Sequence, residues 1–558
     1  MQLSDKKKAI IITLILIFTA GSFLWVRSYV FSDIGMGIHK KIQSLQLSGF
    51  NVRYDSLSID WLGNVVEIHH LLLEKNPYDT ACVYPEFLVI GKVRAENFRL
   101  FALIFRKTLD FKSLYLEKAR IMMRENSLLT LDSTIFKESE FTLRVENVFI
   151  HSADFKYTDN LHCKMSAGVQ SDITIRGLKM ESRNNQPYQF GADELMLDSI
   201  RVELPEAFYS FQIRQARIDF LANIFTVDSI KVIPHFTKLE FGSRRGYEVD
   251  RVEGLIPYVK IKDFIFSFQD SIRIKVGRAE VQFFMKIFRD KHLPFRNKIK
   301  PFLLTAIREL PVDLVIDSLK IANSYVEYEE RAEGSPDPGG IFFDNLYAVF
   351  SNINNRSKMG NTRLVAQASL MGQGDVQLSA VFPFDNKKRS TLKGSLKNFS
   401  IPKINSMLTP ITNIEVENGK LKQLLFHFSF NEIRSDGEIE LNYEDLKLVS
   451  FKEYDKDNDG EWDKDNFKTF ILNLFVFRKN MNEKVPAEKR TGTIMFYRDN
   501  TRSIFNFWAK SLMSGIKSAY KLDKIAEKKE ERQLKKEARV VKRQARKLKR
   551  AVKKKEKD

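Results

Sequence analysis

The chain has few of the residues that build catalytic centres or disulfide-stapled folds. Cysteine occurs twice in 558 residues, at Cys82 and Cys163, so a disulfide framework is excluded. His162 beside Cys163 has no second His or Cys close in sequence to complete a tetrahedral metal site. No phosphate-binding loop, serine elbow or facing pair of carboxylates is recognisable. The sequence therefore predicts a protein that is not an enzyme and needs no cofactor.

Excess positive charge is missing from most of the chain, although the formal net charge is +19. Residues 521–558 alone hold 18 Lys and Arg against 7 Asp and Glu. A basic surface for nucleic acid is thus not indicated for the body of the protein. For the tail, a solvated helix, a segment attracted to anionic lipid and a nucleic-acid-binding segment all stay open.

Long apolar runs are also scarce, and the clearest one lies at the amino terminus. An uncharged stretch from Ala9 to Val26 follows three lysines and ends before Arg27. Its 18 residues, at ~1.5 Å each, are long enough to cross a bilayer. The positive-inside rule then predicts a cytoplasmic amino terminus and a translocated body. A cleaved signal peptide using residues 20–22 is the alternative, and it gives the same compartment.

Phenylalanine, in contrast, is abundant at 45 residues, and so much Phe requires large apolar surfaces. One short pattern occurs five times: Asp-Ser, then Leu or Ile, any residue, and Ile or Val. Its apolar residues stand two apart, which is typical of a strand with one apolar and one wet face. The copies begin at Asp55, Asp198, Asp228, Asp270 and Asp317.

A longer spacing repeats as well. The apolar residues between positions 145 and 157 have the same relative offsets as those between 316 and 328, and we interpret each set as two successive strands. Unequal spacing of the motif copies fits a meandering antiparallel sheet better than a propeller. Because helical segments are few, the apolar face must curl on itself, pair with another sheet or hold a ligand.

We therefore predict a mainly β fold: an N-terminal transmembrane helix, then an elongated, curled antiparallel β-sheet groove, a few short helices and a basic helical C-terminal tail. Short helices are expected within 298–310 and 402–408, next to prolines. Residues 501–520 form an amphipathic pattern with apolar residues four apart, from Ile504 to Ile516. This helix either packs on the open end of the sheet or lies at a membrane surface.

An acidic loop at 453–466 offers a weak metal candidate. Asp455, Asp457 and Asp459 reproduce the first half of an EF-hand calcium loop, and Asp463 stands at the ninth position. The twelfth position is Asn466 instead of the bidentate Glu. A hydrated turn between strands is therefore favoured over a calcium site.

The chain resembles the AsmA-like family of bacterial envelope proteins, which is related to the repeating β-groove lipid-transfer proteins. The resemblance rests on the amino-terminal anchor, on the units at 52–73 and 114–123, and above all on the Gly-x-Ile-x-Leu-x-Tyr-x-Asp-Leu-Lys run that begins at Gly437. It implies an inner-membrane anchor, a periplasmic β-groove and a role in phospholipid transport or outer-membrane maintenance. It supplies no catalytic residues. The acidic insertion after Lys447 and the basic tail depart from the family pattern.

We thus expect a single-pass inner-membrane protein whose body lies in the periplasm and conducts phospholipid acyl chains, with a possible envelope protein partner and without nucleic acid. A non-catalytic scaffold that assists outer-membrane protein assembly is the alternative. The expected segments are 1–27 (cytoplasmic stub and anchor), 28–130 (N-terminal β unit), 131–390 (repetitive groove body), 391–500 (AsmA-like C-terminal region), 501–520 (amphipathic helix) and 521–558 (basic tail). The residues expected to line the groove are Leu57, Ile59, Ile200, Val202, Ile230, Val232, Ile272, Ile274, Leu319, Ile321, Phe426 and Phe428.

Overall fold

The fold is mainly β, and the chain forms two compact units. We call them the N-terminal unit, which ends at His235, and the C-terminal unit, which begins at Phe236. This boundary lies inside the segment 131–390 that we expected to form one body. The computed structural model describes residues 50–60, 63–75, 87–99, 108–124, 141–158, 165–182, 189–204, 208–268, 272–355, 360–385, 388–412, 414–450 and 489–519.

Every described element of the N-terminal unit is a strand. Alternating apolar and polar residues with many β-branched side chains explain this preference. The strands are β1 (Phe50–Arg53), β2 (Ser56–Asp60), β3 (Val65–Lys75), β4 (Phe87–Glu96), β5 (Thr108–Arg124), β6 (Phe141–Thr158), β7 (Met165–Ser182), β8 (Gln189–Gly191), β9 (Glu194–Glu203), β10 (Tyr209–Asp219) and β11 (Ile224–Pro234).

The C-terminal unit combines ten strands with short helices. Its strands are β12 (Asp250–Phe268), β13 (Ile272–Asp290), β14 (Asp313–Arg331), β15 (Gly339–Asn354), β16 (Asn361–Leu370), β17 (Gly374–Pro383), β18 (Ser390–Ser400), β19 (Ile414–Phe430), β20 (Arg434–Ser450) and β21 (Lys489–Tyr497). Its helices are α1 (Lys238–Arg245), α2 (Leu303–Arg308), a 3₁₀ turn (Ile401–Ile404), α3 (Asn405–Thr412) and α4 (Ile504–Ala519). Helices were thus correctly predicted near 298–310, 402–408 and 501–520.

Most neighbouring strands pair antiparallel, as expected, but the prediction of a purely antiparallel sheet is wrong at two places. β5 pairs parallel with β6, and β13 pairs parallel with β14. A parallel pair needs a crossover connection, which a tight hairpin cannot supply. Residues 291–312, which include α2, make that connection between β13 and β14.

The longer sequence repeat corresponds to these parallel joints. The residues from Val145 to Tyr157 all lie in β6, and those from Ile316 to Tyr328 all lie in β14. Each set is therefore one long strand, and the interpretation as two successive strands is wrong. Both strands pair parallel with the preceding strand and antiparallel with the next. The two units thus repeat one arrangement of three strands.

The sheet of the C-terminal unit curls until its first and last strands approach each other at one end. Glu248 precedes β12 and Arg502 follows β21, yet an Arg502 nitrogen lies 2.8 Å from Glu248 Oε1. The same carboxylate accepts a hydrogen bond of 3.2 Å from Arg289 on β13. With only 4% of its side chain exposed, Glu248 is a buried charge that two arginines compensate.

The core of the C-terminal unit lies between its later strands and the helices. Phe428 and Phe430 on β19 are completely buried, and Phe507 on α4 is 1% exposed. The rings of Phe430 and Trp508 meet edge to face with centroids 5.9 Å apart. Apolar residues of β15 to β21, α3 and α4 form one continuous cluster. The apolar face of these strands is therefore filled by the protein itself.

Helix α4 packs on the sheet, so the first of the two expected placements is the one observed. Its deepest residues are Phe507, Ser511, Gly515 and Ala519, a stripe next to the larger residues that we had identified. Ser514 and Ser518 accept hydrogen bonds of 3.2 and 3.1 Å from the backbone N–H groups of Met495 and Thr493. The helix thus covers the free edge of β21, which would otherwise expose unpaired donors.

Several sequence predictions lie outside the described residues: the membrane anchor at 9–26, the acidic loop with Asp455, Asp457, Asp459 and Asp463, and the basic tail. Within the part of the chain that the structure describes, no helix is long and apolar enough to span a bilayer.

Candidate functional site

The most extensive surface feature of the N-terminal unit is a pair of apolar rows that cross nine paired strands. Leu57 and Ile59 on β2 begin the two rows, and each later member pairs in register with the one before. The first row is Leu57, Ile68, Val93, Leu116, Ile150, Ile173, Leu197, Ala216 and Val227. The second row is Ile59, Val66, Ala95, Leu114, Val148, Ile175, Leu195, Ile218 and Phe225.

Both rows lie on one face of the sheet, because residues two apart on a strand point the same way. Eight gaps of ~4.8 Å between strands make the rows roughly 38 Å long, and two rows ~7 Å apart make a narrow apolar strip. We call this surface the apolar strip.

The strip keeps part of its surface accessible. Most of its members are half-buried, whereas Ala95, Val148 and Val227 are buried. No helix occurs among the described residues of the N-terminal unit to cover it. The strip is therefore continuous across the described strands, and no described helix of this unit covers it.

Four further predicted groove residues lie on β9 and β11. They follow the point in each strand at which the alternation of apolar and polar residues shifts by one residue. Ile200 pairs with Ile213, which pairs with Ile230. Val202, Phe211 and Val232 pair in the same way. The structure thus brings these predicted residues together in two more apolar rows. Ile200 is 6% exposed, while Val202, Ile230 and Val232 are half-buried.

Two of the five copies of the Asp-Ser motif lie where the apolar–polar alternation shifts by one residue. On β9 and β11, two polar residues instead of one separate successive residues of the apolar face. They are Asp198-Ser199 and Asp228-Ser229, and both serines have positive φ, at 52° and 55°. Such a left-handed residue makes a bulge that bends the strand and restores the apolar face on the far side. At these two copies the motif marks a bend within a strand, which sequence reasoning had not recognised. The Asp-Ser pair of the copy at Asp270 lies outside the described residues, and Ser318 of the copy in β14 has no positive φ.

On β3 and β4, the face opposite the strip carries charged residues. Glu67, between two strip residues on β3, lies 3.0 Å from Lys92 Nζ and 3.3 Å from an Arg94 nitrogen on β4. Arg94 also contacts Glu96 at 2.7 Å. The hydrogen bond from Lys92, followed by the nearby positive charges, lowers the pKa of Glu67 below its ordinary value despite some desolvation. Ion pairs thus occupy the side of β3 and β4 opposite the strip.

Candidates in the early strands of the C-terminal unit are also partly accessible. Ile272 and Ile274 on β13 pair with Phe268 and Phe266 on β12 and are half-buried. Phe266 is 57% exposed.

The later candidates approach the filled core. Leu319 pairs with Phe350, and both are half-buried, while Ile321 packs against the core cluster. Phe426 is half-buried beside that cluster. Phe428 has no exposed surface, so it belongs to the core and does not line an open groove. Among the predicted groove residues of this unit, Phe428 on β19 is thus fully buried, whereas Ile272 and Ile274 on β13 are half-buried.

A cavity of about 1130 Å³ in the C-terminal unit is a second candidate. Three consecutive residues from each of the strands β15 to β21 line it, together with parts of β14 and α4. Its lining mixes apolar residues such as Val365 and Leu425 with charged ones such as Lys393 and Glu438. This mixture suits a polar or amphipathic ligand better than a bare hydrocarbon chain.

The described residues hold no cluster of three or more His, Cys, Asp or Glu that could bind a metal ion. No protein-family model matches the chain, and a comparison with curated proteins finds no match.

Proposed function

We propose that this protein binds lipid acyl chains along the apolar strip and conducts them between membranes as a non-enzymatic carrier. The run from Ala9 to Val26 anchors it in the inner membrane and places the body in the periplasm. Phospholipid is the cargo, and maintenance of the outer membrane is the role. The single observation that carries the proposal is the unbroken register of apolar residues across nine strands.

The energetics favour hydrocarbon as the guest. A chain of about sixteen methylenes loses roughly 13 kcal/mol on leaving water, at ~0.8 kcal/mol each. Two adjacent rows of half-buried aliphatic side chains shield one such chain from water on one side. Because membrane and strip are both apolar, moving a chain between them needs little net free energy. Head groups then remain in water beside the strip.

Site-specific photocrosslinking in the full-length chain tests this proposal. A benzoylphenylalanine replaces Ile59, Leu116 or Leu197 on the strip, and Ser58 or Arg217 on the opposite face serves as the control. After irradiation with phospholipid vesicles, mass spectrometry measures lipid adducts at each position. We expect adducts from all three strip positions, at least about tenfold above the controls.

The alternative is a scaffold that docks another envelope protein, and the filled core of β15 to β21 is the observation that favours it. In that case the strip positions crosslink to protein in cells and yield no lipid adduct with vesicles. Equal lipid adducts from both faces indicate nonspecific adsorption, and they contradict the proposal too.

A further inference from the structure

Three segments of the C-terminal unit expose large apolar side chains at one end of its sheet. They are residues 295–303, the turn 431–433 between β19 and β20, and residues 497–505. We call them together the basic tip. Its exposed apolar residues are Phe295 (42%), Ile299 (68%), Leu303 (64%), Ile433 (65%), Tyr497 (62%) and Phe505 (72%). Single exposed apolar residues are ordinary, but six in three adjoining segments mark an interaction surface.

Arg498 holds the three segments together. Its backbone N–H donates to the carbonyl of Ile433 at 2.8 Å, and its guanidinium forms an ion pair with Glu432. The same guanidinium donates to the carbonyl of Lys300 and stacks over the ring of Phe302 at 3.9 Å. Only 1% of the Arg498 side chain is exposed. The tip is therefore a fixed surface and not a set of independent loops.

Two further contacts complete this arrangement. The Lys300 N–H donates to the Asn500 carbonyl at 2.8 Å. Arg502 stacks over the ring of Phe295 at 3.9 Å. Phe295 and Ile299 thus lie beside the segment that leads into α4.

The tip also carries uncompensated positive charge. Residues 295–303 contain three Lys and Arg and no Asp or Glu. Lys298 and Lys300 flank Ile299 and are exposed, and no carboxylate among the described residues pairs with either. The acidic residues of the tip are already engaged, since Glu432 contacts Arg498 and Asp499 contacts Arg502. Alternating lysines and aliphatic residues therefore face water together.

We propose that the basic tip docks on the surface of an anionic lipid bilayer. Ile299, Leu303 and Phe505 enter the boundary between head groups and acyl chains, while Lys298 and Lys300 bind the anionic head groups. Single-stranded nucleic acid fits less well, because base stacking uses planar rings, whereas three of the six exposed residues, Ile299, Leu303 and Ile433, are aliphatic. The inference goes beyond the proposed carrier function, since docking requires no transfer of lipid.

An environment-sensitive fluorophore in the full-length chain tests the docking. In a background with Cys82→Ser and Cys163→Ser, the dye NBD is attached to Ile299→Cys. The matched control carries it at Ile265→Cys, an exposed position (54%) on β12 that lies outside both the tip and the cavity. Vesicles contain phosphatidylcholine with or without 30% phosphatidylglycerol. Because the readout is local, attachment of the protein elsewhere does not produce the signal.

At position 299 we expect a several-fold rise in emission with anionic vesicles, quenching by brominated lipids and little response to neutral vesicles. The control at 265 stays unchanged. The K298E/K300E variant, whose folding is checked by circular dichroism, weakens the response at least about tenfold. An unchanged signal at 299, equal signals at both positions, or a stronger response to single-stranded RNA than to vesicles overturns the proposal. The crosslinks from Ile59 test the carrier function separately.

Discussion

The N-terminal unit and the later strands of the C-terminal unit share one pattern of alternating apolar residues but use their apolar faces differently. In the former, two rows cross nine strands with most members half-buried, and no helix is described in that unit. In the latter, α3 and α4 lie on the apolar face together with Phe428 and Phe430, which are completely buried. Alternation decides that a strand has an apolar face, and the presence of a covering helix decides whether that face is a core.

Small residues in α4 make the covering possible. Gly515 of the helix lies against Gly492 of β21, and a Cβ at either position collides with its surroundings. Ser511 and Ser435 are both completely buried and share a hydrogen bond of 2.8 Å. The helix therefore approaches β21 closely and leaves no room for a guest molecule between Gly515 and Gly492. We therefore propose the N-terminal unit as the lipid-binding region, whereas the later strands of the C-terminal unit form a core that α3 and α4 cover.

The largest expected effect comes from emptying the closed core. Phe430→Ala removes a completely buried ring that contacts Phe507 and Trp508, so we expect a loss of about 3–5 kcal/mol in the free energy of unfolding. Urea unfolding followed by Trp508 fluorescence measures it, in a chain whose other three tryptophans are replaced by Phe.

Leu197→Ala in the apolar strip is the matched control for that change. Because Leu197 is half-buried and belongs to the other unit, the Trp508 transition should not move. A shift as large as that of Phe430→Ala would mean that the two regions share one cooperative core.

A second experiment tests whether moving α4 away from the strands exposes their apolar face. Gly515→Val places side-chain atoms where a Cβ already lies 2.7 Å from Ile439 and Ile494, so α4 must move away. Overpacking of this kind costs about 1–3 kcal/mol. We expect faster hydrogen exchange in α4 and new binding of the dye ANS to the uncovered strands. Ala509→Val on the exposed side of the same helix is the control, and an equal response there would rule out the close contact as the cause.

Many of the strands and helices could be predicted from the sequence, but the pairing between strands could not. Alternation two residues apart correctly indicated strands, and four-residue spacing indicated α4. The parallel joints could not be predicted, because periodicity determines the face of a strand but not the direction of its neighbour. The sequence repeat shared by β6 and β14 does correspond to these joints, because each of the two strands pairs parallel with the strand before it.

The candidate site was predicted in part. Leu57 and Ile59 do begin the apolar strip, but most other strip members, such as Ile68 or Leu116, lie outside the Asp-Ser motif. Register with Leu57 and Ile59 is what identifies them, and register follows from pairing that one strand cannot reveal. Phe428 was wrongly predicted to line the groove, because a Phe in an alternating pattern has the same sequence signal whether its face is an open groove or a closed core. A helix from a distant part of the chain determined the outcome.

The smallest expected effect concerns the wet face of the N-terminal unit. The pKa of Glu67 is lowered in the folded state, mainly by the hydrogen bond from Lys92, so its ionised form stabilises the fold above the unfolded-state pKa of about 4.5. This contribution is lost as the pH falls through the lower, folded-state pKa.

Glu67→Gln should therefore reduce stability by less than about 1 kcal/mol at pH 7 and by almost nothing at pH 3, since the pair lies at the surface. Thermal unfolding at the two pH values measures the difference, and the same change in a Lys92→Met background isolates the pair. An effect well above 1 kcal/mol would mean that cross-strand charge, and not apolar packing, holds the strands beneath the strip together. An effect that persists at pH 3 would assign it to the shape of the side chain instead of its charge.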